Sequence, residues 1–293
     1  EKEEEEKGGD KGGDKGRGAM EVEAEPTTMT LSKDQAIEAL GLLVGESLVK
    51  ALQDTQWKTR LDAMEELLSQ IKSNDLLASA ANCSVLIQST AFVPGWDEKN
   101  FQVAARQFEL VRLIAAYAAA GFYSEFGATP SPSLSPLAAP PATILLARRD
   151  AAAAVEGLVD KVADIKLKNQ ACEALFALSE ACGPNFVVMQ LQKKAAAHKN
   201  PKVLLESLKW VVQCLVAFGP FQSGLEVKGL IDIAKEHLGN ANAGIRTSAT
   251  QLLGSLHRFL GPMLGDMIRS DVKPALMSAI EAEFVKNPPF VGV

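Results

Sequence analysis

A cation, an alanine three residues later and a leucine four residues beyond that recur along this chain: Arg60, Ala63 and Leu67; Lys168, Ala171 and Leu175; Arg246, Ala249 and Leu253. Each group opens a stretch with apolar residues at helical spacing, as in Leu61, Met64, Leu67 and Leu68 after Gln56-Trp57-Lys58-Thr59. From Lys168 to Arg246 is 78 residues, two steps of 39, and from Arg60 to Lys168 is 108, two similar steps plus an excess. A period of about 40 with two helices per unit is the signature of HEAT-type repeats. The expected fold is therefore all-α, a HEAT-repeat solenoid of about six helix pairs in which each unit buries its apolar face only against its neighbours.

Composition agrees. Apolar residues make up 47% of the chain but aromatics only 6%, which suits stacked helices better than a β-sandwich. Residues 1–25 hold ten acids and five bases, so 26 acids and 25 bases remain for the rest. Residues 1–30 read as an acidic disordered linker. The folded part has no bulk positive charge, which argues against a nucleic-acid partner. The apolar runs are too short to span a bilayer, which argues against a membrane partner. The chain starts at Glu1 rather than at a methionine and reads as a piece of something longer. Cys83, Cys172, Cys182 and Cys214 lack metal or redox spacing and read as small buried hydrophobes in a reducing compartment. His198, His237 and His257 stand far apart, without ligand spacing to a cysteine or carboxylate. Phosphate-loop and nucleophile-elbow motifs are missing from the sequence. No metal, no cofactor and no enzymatic activity are expected.

Along the chain, Ser32 and Gln35 form a capping box for a helix that carries Ile37, Leu40, Leu43, Val44, Leu48 and Leu52. A second helix begins at Trp57. The next pair is 75–89 and 100–120, with Phe101, Val103, Phe108, Val111 and Leu113 on the buried face. Residues 121–147 hold five prolines and lose the periodicity, so they read as a flexible insertion between repeats. Three further pairs follow, 150–162 with 167–181, 186–197 with 202–218, and 227–238 with 244–260. Pro274 opens a terminal helix running to about Lys286. The repeat domain is read as 31–287 and the remaining 288–293 as a tail.

In stacked helix pairs the loops inside the pairs share one side of the solenoid. Those loops carry Trp57, Lys58 and Arg60; Trp96, Asn100 and Gln102; Asp164, Lys166, Lys168 and Asn169; Lys199, Asn200 and Lys202; and Asn240, Asn242 and Arg246. Two readings compete. The asparagines can be helix caps and the cations merely solvated, with Trp57 in the core. Alternatively, five loops of similar chemistry form a linear face for an acidic protein surface, with Trp57 as its anchor.

Several of these segments resemble a known family. Asp54-Thr55-Gln56-Trp57-Lys58-Thr59-Arg60-Leu61, Pro94-Gly95-Trp96-Asp97-Glu98-Lys99-Asn100-Phe101-Gln102-Val103, residues 156–166, His198-Lys199-Asn200-Pro201-Lys202 and Lys273-Pro274-Ala275-Leu276 are similar to the TOG domain. This is the tubulin-binding HEAT module of microtubule polymerases, ch-TOG and the plant microtubule-organisation protein among them. The third TOG of such arrays is the nearest pattern, and the likeness covers about Leu31 to Lys286 apart from the insertion. The resemblance implies a flat paddle of six repeats whose intra-repeat loops grip αβ-tubulin. The Trp57 loop would meet β-tubulin and later loops would reach toward α-tubulin. It also implies partnership with neighbouring TOG domains, and a place in the cytoplasm on microtubule plus ends, spindles and microtubule-organising centres. Residues 121–147 and the acidic 1–25 depart from the family pattern. The alternatives are a HEAT scaffold or adaptor using residues on its inner helices, and a structural TOG that binds other proteins rather than tubulin.

Overall fold

The computed structural model describes residues 30–125 apart from 74, and 146–290 apart from 222. The acidic stretch 1–29 and most of the presumed insertion lie outside them. The described residues form helices joined by turns, in six successive pairs. The first pair sets α1 (Lys33–Val44) and α2 (Glu46–Leu52) against α3 (Trp57–Ser73), and the second α4 (Ala80–Thr90) against α5 (Phe101–Glu125). α6 (Arg148–Leu158), extended by a tight helical turn over Val159–Ala163, precedes α7 (Lys168–Cys182). The last three pairs are α8 (Pro184–Ala196) with α9 (Pro201–Phe218), α10 (Val227–His237) with α11 (Ala243–Leu260), and α12 (Met263–Arg269) with α13 (Pro274–Lys286).

Local chemistry explains most of the boundaries. Ser32 and Gln35 close the expected capping box at α1, each side chain accepting from the other's backbone N–H. The sequence suggests one helix from there to Leu52, but Gly45 breaks it. Its φ of 96° is a conformation L side chains rarely adopt, and the bend turns Leu48, Val49 and Leu52 into the core. Pro201 and Pro274 sit in the first turns of α9 and α13, where a missing N–H leaves no hydrogen bond unmade.

The repeats stack in two layers. In one, α1, α4, α6 and α8 succeed one another; in the other, α3 packs on α5, α5 on α7, α9 on α11 and α11 on α13. Helices α5 and α7 bury small residues, Ala115, Ala118 and Ala119 on one and Ala171, Ala174 and Ala177 on the other, which lets them run close together. Between α7 and α9 aromatics bridge the gap, with the Phe176 ring 5.3 Å from Trp210 and 6.2 Å from Phe218. A single buried glutamine ties the first three repeats. Gln88 accepts from the Leu31 N–H at 2.7 Å and donates to Ser84 and Asp150 at 2.9 Å.

Three sequence expectations need correction here. Helix α5 runs on to Glu125, into the stretch assigned to the insertion, while Leu146 and Ala147 are already buried before α6. Phe101 is 44% exposed rather than buried, because it is the first residue of α5 and lies at the end of the buried face rather than within it. Of the expected tail, Phe290 is packed onto the domain: its N–H donates to the Arg258 carbonyl at 2.9 Å, and its ring lies beside Arg258 and edge-on to Phe259. Among the described residues no helix is long and apolar enough to cross a membrane.

Candidate functional site

The loops inside the pairs do gather along one edge, and contacts between consecutive loops show how. Arg60 after the first loop reaches Glu98 in the second; Trp96 in the second packs on Gly157 just before the third; Lys166 in the third covers Phe101 after the second. His198 in the fourth meets Asp160 at 2.9 Å, Leu205 packs near Gly244 after the fifth, and Lys235 before the fifth meets Asp271 in the sixth at 2.6 Å.

Several of the expected binding side chains turn out to hold this edge together. Asn100 caps α5 by accepting from the N–H groups of Gln102 (2.9 Å) and Val103 (3.4 Å). Asn200 accepts from Lys202 N–H at 3.0 Å, and Asn242 from Gly244 and Ile245 at 2.8 and 3.3 Å. Asn240 accepts from Asn242 N–H at 2.9 Å, and Asp164 from Lys166 and Leu167 at 2.7 and 3.0 Å. Of the two readings of the asparagines, capping is therefore the one the geometry supports. The Trp96 indole is half-buried and lies so flat on α6 that a Cβ at Gly157 would fall 2.0 Å from its ring. That tryptophan belongs to the junction between repeats rather than to open surface.

The cations divide in the same way. The Arg60 guanidinium grips Glu98 with both edges, Nε to Oε2 at 2.7 Å and Nη2 to Oε1 at 2.8 Å, and donates from Nη1 to the carbonyls of Asp54 and Thr55. Burial pushes the Glu98 carboxyl up. The Arg60 guanidinium and the N–H groups of Asn100 and Lys99 outweigh this and hold it below the usual carboxylate range. Lys168 repeats the strut two units further on: it pairs with Glu206, which Lys209 also contacts at 2.9 Å. Burial likewise opposes, and the two lysines outweigh, so Glu206 stays low. Both struts span 38 residues, one repeat. Arg246 clamps the carbonyls of Asn240 and Ala241 at 2.8 and 2.9 Å, as Arg60 clamps its own loop, but residue 284 is a phenylalanine and among the described residues no carboxylate meets it.

The exposed remainder is therefore narrower than the sequence suggests. Trp57, the first residue of α3, is 37% exposed with the Lys58 ammonium 5.9 Å from its ring centre. Lys58, Lys199 and Lys202 are exposed and form no ion pair among the described residues; Gln102 and Asn169 are exposed too. Four more side chains on this edge escaped the sequence reading. Ile165 is 92% exposed and Phe101 44%, with Lys166 Nζ 4.4 Å from the Phe101 ring centre, while Lys99 and Lys273 are exposed without an ion pair among the described residues. Ile165 escaped because Val162 and Leu158, three and seven residues before it, keep helical spacing with it and give no sign that it faces outward. Lys273 escaped because α12, at 7 residues, is too short to show a period. The edge thus carries Trp57, Phe101 and Ile165 in its first three repeats, beside Lys58, Lys99 and Lys166, and presents Lys199, Lys202, Arg246 and Lys273 in its last three.

A stack of helix pairs with its loops gathered on one edge defines a class, the HEAT-like helical-repeat paddle. The family described as XMAP215/Dis1/CLASP, TOG domain matches residues 141–284. The TOG3 domain of Drosophila melanogaster Mini spindles superposes with a TM-score of 0.67, at 30% identity over 84% of this chain and 98% of that one. Protein MOR1 of Arabidopsis thaliana is 36% identical over 250 residues, 85% of this chain and 11% of that protein; rice MOR1 is 34% identical over 267, 91% and 12%. The chain belongs to the TOG domains of the XMAP215/Dis1/CLASP family. It spans about a tenth of the length of the curated relatives it matches.

Proposed function

We propose that this domain binds αβ-tubulin through its loop edge and serves, in series with other TOG domains, to bring tubulin to growing microtubule ends. The observation that carries the reading is the coincidence of exposed apolar side chains and uncompensated cations on that edge. Trp57, Phe101 and Ile165 are apolar groups that gain by burial against a partner, and Lys58, Lys199, Lys202 and Arg246 suit an acidic one. A scaffold that used its inner helices would not need these groups in its loops. A Drosophila relative is named for mini spindles, which supports a place on spindle microtubules. The chemistry is binding and orientation, with no covalent step.

Co-elution of the chain with unpolymerised αβ-tubulin on size exclusion, at low and moderate salt, tests this. Trp57→Ala should weaken the complex by about 30-fold, the loss expected of an interface anchor. Lys199→Glu with Lys202→Glu should weaken it most at low salt. A parent chain that forms no complex even at low salt refutes the reading and leaves a structural TOG domain. Variants that bind like the parent place the tubulin contact elsewhere.

A further inference from the structure

We infer that Arg60 is a positioning residue, which couples the Trp57 loop to the second loop through Glu98 and presents no usable cation to the partner. The inference rests on the tubulin reading and deepens it. Arg60 and Arg246 stand at equivalent places in their repeats, and charge alone gives them the same role. Their surroundings do not. The Arg60 side chain is 16% exposed and that of Glu98 3%, and the two meet in the bidentate pairing described above. Arg246 is exposed and bonds only carbonyls.

The geometry around Arg60 forms a relay. The carbonyls it holds belong to Asp54 and Thr55, just before Trp57, while Arg60 itself lies one turn after Trp57 on α3. The clamp therefore spans Trp57 from both sides in sequence. Glu98 is fixed in turn, since its Oε1 accepts the Asn100 N–H at 2.7 Å and Asn100 caps α5. The orientation of Trp57 in the first repeat thus depends on the cap of α5 in the second. A planar guanidinium is required, because one ammonium cannot span a carboxylate and two carbonyls at these angles. Removing either partner leaves the other's charge buried, which disorders the loop rather than exposing a new contact.

The experiment has two arms. In the first, the free chain is labelled with 5-fluorotryptophan and its three resonances, from Trp57, Trp96 and Trp210, are followed by 19F NMR, with the Trp57 line assigned by Trp57→Phe. Glu98→Gln should move or broaden the Trp57 line and leave the buried Trp210 line in place. In the second, tubulin affinity is measured for Arg60→Ala, Glu98→Gln, the double variant and Arg60→Lys. Each single change should cost roughly tenfold, and the double no more than either alone. Arg60→Lys should fail to restore binding. The salt dependence should stay that of the parent, whereas Arg246→Ala should flatten it. The inference is overturned if Glu98→Gln leaves the Trp57 line unmoved. It is equally overturned if the two single losses add in full, or if Arg60→Lys binds like the parent. If the parent chain itself forms no complex with tubulin, the tubulin reading has failed, and the NMR arm alone still decides whether the coupling exists.

Discussion

Alanine at Gly157 should destabilise a helix that it ought to favour. In an exposed helix, glycine to alanine gains about 1 kcal/mol. At Gly157 the added methyl would fall 2.0, 2.2 and 2.5 Å from Cδ2, Cε2 and Cε3 of Trp96. Carbon atoms rest at about 3.5–4.0 Å, so indole and helix must separate by roughly 1.5 Å. The indole is a rigid plane packed on the core, without a flexible end that could swing away. Overpacking of this kind costs about 1–3 kcal/mol. Against a rigid ring 2.0 Å away the cost falls in the upper part of that range, about 2–3 kcal/mol, so net of the helix gain the loss should be about 1–2 kcal/mol, or about 2–8 °C in Tm for a domain of this size. Thermal and urea unfolding of Gly157→Ala measure it directly. In Trp96→Ala the same glycine substitution should become neutral or stabilising, because the obstructing ring is gone. A Gly157→Ala chain that melts at or above the parent temperature would refute the packing of Trp96 between repeats.

Two further predictions concern buried titratable groups. Burial holds the His237 ring below the ordinary imidazole value, against a weaker pull from Glu236. A lowered pKa means that the unfolded chain takes up the proton first, so the stability from the neutral ring is complete above about pH 6.5 and drains away as pH falls below it. Tm in the parent should decline through that window more steeply than in His237→Gln, and equal slopes would exclude the effect. Burial also pushes the thiols of Cys83 and Cys214 up to about 12. Iodoacetamide at pH 8 should leave both unmodified in the native chain and label both in urea, as read by mass spectrometry; labelling of either in the native chain would contradict its burial.

The fold was readable from the sequence because its determinants are local. Helical spacing, the Ser32–Gln35 box and Pro201 act within a turn or two of themselves. The candidate site was readable only in outline, since its details are settled across repeats. Nothing near Arg60 in sequence announces Glu98, and nothing near Trp96 announces Gly157 as its partner, until the stacking register is known. The cue that Gly157 did offer, a glycine inside a helical stretch, speaks of close packing but not of what packs there. Phe101 and Trp57 illustrate the limit from the other direction. Both are aromatics at the first position of a helix, where spacing alone cannot decide between core and solvent.

The chain's two long edges have unequal tolerance for change. Connections within pairs lie on the edge where loops are stapled to one another, so a residue added there would break a strut or a cap. Connections between pairs, such as the one from α5 to α6, leave from the opposite edge, and α5 and α7 pack together regardless of how many residues separate α5 from α6. The paddle therefore has a side on which length is free. A fluorophore, an epitope or an extra sequence inherited by one lineage can be carried there without disturbing the alignment of the six loops opposite.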